Sequence, residues 1–179
     1  MIIEECLNDV QKSIFAKFKN KIPFRIVEFS NALGIKIFLD DLPDNISGKI
    51  EKNDAGDFTI YLNNKHSNTR HIFTIAHELG HYFRHQEYFE THNSIEEPLY
   101  NTFQKDRLDD NTEQKTRERE ANEFAAELLM PSGTIKEKWT EFHFSITKMA
   151  KYFNVSEIAI AFRIKNTVGA DYTNEYLIV

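Results

Sequence analysis

The stretch HIFTIAHELGHYFRH, residues 71–85, constrains this chain more than any other. Ile72, Ile75, Ala76, Leu79 and Phe83 recur at helical spacing and form one apolar stripe. Ser67 or Asn68 is placed to cap such a helix, which is expected to run from Thr69 to His85. Beside the stripe, His77, His81 and His85 follow at four-residue steps, so a neighbouring face of the same helix carries imidazoles. Ionisable groups next to a core stripe are costly unless something partners them. Gly80 deepens the question, because a glycine inside a helix costs about 1 kcal/mol relative to alanine. A close approach by the backbone of another element would account for it.

Two histidines one helical turn apart sit about 6 Å from each other along the axis and can aim at one ion. HELGH supplies that pair as His77 and His81. Glu78 is rotated roughly a quarter turn from His77, which lets it reach a water beside the ion, the position of a general base. Catalytic zinc takes three protein ligands and keeps one position open, so a third ligand must come from elsewhere.

The segment TREREANEFAAELLM, residues 116–130, reads as a second amphipathic helix. Its stripe is Ala121, Phe124, Ala125, Leu128 and Leu129, and Pro131 marks its exit. Glu118 and Asn122 lie one turn apart there, so Glu118 is placed to bind the metal and Asn122 to support a histidine ligand from behind. Glu120 and Glu123 point elsewhere. Zinc suits two histidines and a carboxylate, and manganese or iron stays open, because selectivity depends on geometry and supply.

Together, FTIAHELGHYF and EREANEFAAELLMP in this order resemble the ImmA/IrrE metallopeptidases, and a looser likeness extends over residues 25–165. The resemblance implies that His77 and His81 bind zinc, that Glu78 is the catalytic glutamate and that Glu118 is the third ligand. It also implies an intracellular endopeptidase whose protein substrate is a helix-turn-helix repressor or regulator, or an antitoxin encoded nearby. A second reading keeps the metal-site frame without turnover, as a regulatory or toxin-type protein acting by protein or DNA binding.

The expected fold class is α+β, with zincin-like helices packed on a small antiparallel sheet and a C-terminal segment of helix-turn-helix appearance. Residues 1–135 form the expected metallopeptidase core and 136–179 a helical extension packed on it. Leu7, Val10, Ile14, Phe15 and Phe18 space an N-terminal helix that extends to near residue 20. GIKIFLDD, ISGKIEKND and FTIYLNN alternate as short strands, with NDAGD as a hairpin turn. In the third strand Phe58, Ile60 and Leu62 share one face, and Thr59, Tyr61 and Asn63 the other. That strand is expected at a sheet edge beside the metal helix, where an extended substrate could pair with it. Residues 87–116 are charged and irregular, as suits a lid or a surface excursion containing a short helix.

Over residues 145–166 two short helices flank a turn at Asn154. Ser156 caps the second, with Val155 and Ile160 as its hydrophobic staple. Lys148, Lys151, Arg163 and Lys165 would be the basic face if DNA were bound, but a net charge of -6 opposes phosphate binding, so the pair is expected to complete the core. The closing EYLIV reads as a terminal strand. Cys6 is alone and cannot form an internal disulfide, and no apolar run is long enough to span a membrane or serve as a signal. The cytoplasm is the expected compartment. His66, His71, His85, His92 and His143 read as ordinary polar or satisfied histidines rather than ligands, and Tyr82 as either a carbonyl-polarising or a packing residue.

Overall fold

The computed structural model describes residues 3–98 and 112–169. Asn8 opens the first α-helix by a reciprocal cap: its side chain accepts from the Gln11 N–H, and the Gln11 side chain accepts from the Asn8 N–H. Helix α1 (Asp9–Phe15) follows a 3-10 turn at Ile3–Cys6 and stops short of residue 20. A second helix, α2 (Ile26–Ala32), was not foreseen. Seven residues with Ile26, Phe29 and Ser30 buried give too little periodicity to stand out.

The sheet comprises β1 (Lys36–Asp40), β2 (Ile46–Lys52), β3 (Phe58–Asn63) and β4 (Ser94–Pro98), in the order β1-β3-β2-β4. The hairpin between β2 and β3 turns at NDAGD, where the Asn53 side chain accepts from the N–H groups of Ala55 and Asp57. Ile37, Ile60, Ile50 and Ile95 align in one row across all four strands. Two pairings are antiparallel, but β1 joins β3 in parallel, so the sheet is mixed.

The physical reason lies at Asn63, which is fully buried at the end of β3. Its amide donates to the carbonyls of Leu42, Pro43 and Ile46 at 3.3, 3.1 and 2.8 Å, pinning the β1–β2 connection across the strand that separates them. Strand 58–63 is therefore interior, and the expectation that it forms an edge is corrected. Among the described strands the edges are β1 and β4.

β4 itself falls in the stretch read as irregular, together with a 3-10 turn at Tyr88–Glu90. Residues 99–111 of that stretch and the closing EYLIV lie outside the described residues.

Helix α3 (Asn68–Arg84) packs on β2 and β3, and α4 (Thr112–Leu129) packs on α3. Helices α5 (Ser132–Glu141), α6 (Ile146–Phe153) and α7 (Glu157–Val168) follow. Asn154 makes the α6–α7 turn in the left-handed conformation, and the Ser156 side chain caps α7 by accepting from the Ala159 N–H. Val155 and Ile160 are buried, as a staple requires. One apolar cluster extends from Ile3 to Ile164, and the 135/136 division falls inside α5. Among the described residues no helix is long and apolar enough to cross a membrane.

Candidate metal centre

Helix α3 begins where expected, with the Ser67 side chain accepting from the Arg70 N–H. Its buried face carries Ile75, Ala76 and Leu79, and with them the fully buried His77, Glu78 and His81. The two histidines turn their Nε2 atoms toward each other at 3.0 Å. From α4, Glu118 brings Oε2 to 3.3 Å from His77 Nε2 and Oε1 to 3.4 Å from His81 Nε2. One ligand atom from each of the three residues lies within 4.8 Å of the others.

The helices reach this separation at Gly80. A Cβ there would stand 2.8 Å from Ala121 Cα and 2.9 Å from Ala121 O, so the close backbone approach expected at this glycine is present.

These residues fit a divalent cation. Two ring nitrogens 3.0 Å apart cannot both present lone pairs to each other without a positive centre between them, and a carboxylate completes the donor set. Asn122 Oδ1, an acceptor, lies 3.1 Å from His77 Nδ1; it therefore holds the ring proton there and leaves Nε2 free for a metal.

The buried charges divide the protons unequally. Burial by itself would lower the pKa of His77, but the carboxylates of Glu97, Glu118 and Glu78 overcome it and raise the value to about 9. His81 goes the other way, to about 4, because burial and the charge of His77 outweigh Glu118. Burial alone would raise Glu118, but the imidazoles of His77 and His81 beside it bring it down to about 2. Glu78 is held well above the ordinary carboxylate range, chiefly by burial and further by Glu97 and Glu118, against the pull of His77. Neither of its carboxylate oxygens has a hydrogen-bond partner among the described residues.

The sequence profile of the IrrE N-terminal-like domain, Peptidase_M78, matches residues 31–165. The chain belongs to this family. Its Peptidase_M78 region contains both helices of the metal centre. No curated protein matches the chain. A solved structure, a Mycobacterium tuberculosis transcriptional regulator, is similar with a TM-score of 0.58 at 16% identity, over 92% of this chain and 52% of that one. This likeness shows a shared fold, and the present chain spans about half the length of that regulator.

Around the candidate ligands the Peptidase_M78 domain places further polar residues. His85, read as a polar or satisfied histidine rather than a ligand, is 8% exposed and puts Nδ1 at 3.0 Å from His81 Nδ1. Its Nε2 lies 3.1 Å from Glu120 Oε2. Glu120 does point away from Glu118, but toward this histidine. The signal was available in the third four-residue step along α3. Glu97 of β4, 2% exposed, pairs with Arg70 at 3.0 Å and acts on both His77 and Glu78. Tyr82 receives a hydrogen bond from Gln11 Nε2 at 3.3 Å and packs edge-on against Phe58. His71 bonds the Asn63 carbonyl at 2.8 Å, an ordinary structural role.

Proposed function

We propose that this Peptidase_M78 protein is a zinc-dependent endopeptidase hydrolysing a peptide bond in a protein substrate. The observation that carries this reading is Glu78, a carboxylate wholly buried and without a hydrogen-bond partner among the described residues, directly beside the two-histidine, one-carboxylate donor set. A group so placed has no structural employment, and its environment makes it a stronger base than a surface carboxylate.

Zinc bound by His77, His81 and Glu118 would supply Lewis acidity, polarising the scissile carbonyl and making the attacking water more acidic. Glu78 takes the proton of that water on its carboxylate and passes it to the departing amine. Asn122 keeps the His77 ring in the tautomer that leaves Nε2 available. Burial of all four side chains keeps bulk water from screening these interactions.

The proposed substrate is a helix-turn-helix repressor or regulator, or an antitoxin encoded nearby, and the proposed compartment is the cytoplasm. Family membership supports a proteolytic role, and the fold shared with a transcriptional regulator is consistent with a regulatory setting. Glu78→Gln is the test, because it preserves shape while removing the base. Zinc content should persist while cleavage of the neighbouring repressor falls about 10²–10⁴-fold. Undiminished cleavage would refute the assignment of Glu78, and a cellular phenotype that survives without cleavage would favour the binding reading.

A further inference from the structure

We propose that His85 and Glu120 are positioning residues that set the tautomer and orientation of His81 and thereby tune its metal affinity; this rests on His81 being a ligand. His81 has one ring nitrogen toward His77 and Glu118 and the other toward His85. A neutral imidazole carries a single ring proton, so Nε2 can offer a lone pair to a metal only when the proton sits on Nδ1. That Nδ1–H then donates across 3.0 Å to His85 Nδ1, which must accept. His85 in turn carries its proton on Nε2, 3.1 Å from Glu120 Oε2, and a carboxylate only accepts. Arg84 Nη2 stands 3.3 Å from the other oxygen of Glu120 and steadies it.

With both imidazoles neutral, only one proton arrangement satisfies both bonds, and it is the one that frees His81 Nε2. Without the carboxylate, His85 could take its other tautomer and donate from Nδ1 to His81, placing the His81 proton on Nε2 and blocking coordination. No change of charge is needed anywhere along the chain. The two histidine ligands are thus backed unequally: His77 by the neutral Asn122 amide, and His81 by a second imidazole ending in a carboxylate. Carboxylate-backed imidazoles are the more basic ligands.

The test uses the full chain, stripped of metal and titrated with Zn²⁺ against a chromophoric chelator and with Co²⁺ followed by its visible absorption. His85→Leu and Glu120→Leu should each weaken Zn²⁺ binding about 10–100-fold and alter the Co²⁺ spectrum. His85→Gln can still accept from His81 and donate to Glu120, and should restore most of the affinity. Glu120 is 28% exposed at its side chain, so its replacement probes the relay without opening the core, even if His85→Leu fails to fold. Leucine variants that bind and absorb like the wild type would overturn the proposal, as would a His85→Gln protein as weak as the leucine variants. A wild type that binds neither ion would instead overturn the metal centre itself, and this relay with it.

Discussion

Between His77 and His81 there is room for one proton or one cation. In the metal-free protein the proton belongs to His77, raised to about 9 by the surrounding carboxylates, while His81, at about 4, stays neutral at pH 7. A raised histidine stabilises the metal-free fold fully below its ordinary value of 6.5, and that contribution is lost as pH rises through about 9. A lowered Glu118 contributes above its ordinary value of 4.5 and loses that contribution as pH falls through about 2. For metal binding the sign is that of competition: below pH 9 the cation must displace the His77 proton, so affinity weakens as pH falls. At pH 7.5 about one proton should be released from His77 per cation bound, measured by calorimetry in buffers of different ionisation enthalpy. Binding without proton release would contradict the assignment of His77.

Helices α3 and α4 meet through a glycine, and that contact sets the spacing on which the ligand geometry depends. Gly80→Ala gains about 1 kcal/mol of helix propensity. It also thrusts a methyl group to 2.8 Å from backbone that cannot yield without moving α4. The expected outcome is a lower melting temperature and at least a tenfold loss of zinc affinity, read by melts and chelator competition. Gly133, in α5, has open space around its Cβ position, and Gly133→Ala should instead be neutral or stabilising by up to about 1 kcal/mol. What sequence could and could not disclose follows the same division. The ligand helices were readable because spacing along one helix is local: His77, Glu78, His81 and Gly80 announce their geometry within five residues. Glu120 escaped because its partner sits on another helix, in sequence 35 positions away. The parallel β1–β3 pairing escaped because it depends on Asn63 reaching carbonyls 17 to 21 positions back. β4 showed no alternation to read, since Ile95 is the one large aliphatic in SIEEP.

The candidate metal site lies between layers, so a cation bound there would bear on the whole molecule. Helix α3 packs on the sheet through β2 and β3 and on α4 through its other side. Arg163 of α7 then grips the far end of α4, donating to the Met130 carbonyl at 2.8 Å and to Glu127. A cation held by two ligands on α3 and one on α4 would therefore tie the sheet to the helical half of the fold. Binding to the folded state alone, at a free concentration one hundred times Kd, stabilises by about 2.7 kcal/mol. For a domain of this size each kcal/mol raises Tm by about 2–4 °C, so zinc should lift the melting point about 5–11 °C above that in chelator. The variants separate the roles of the four buried residues. His77→Ala, His81→Ala and Glu118→Ala should each lose most of the zinc-dependent rise. Glu78→Gln should keep it in full, because a base that never bonds the metal is not part of the clamp. A Glu78→Gln protein that loses the rise along with the others would make Glu78 a ligand, and the division between holding the ion and moving the proton would have to be redrawn.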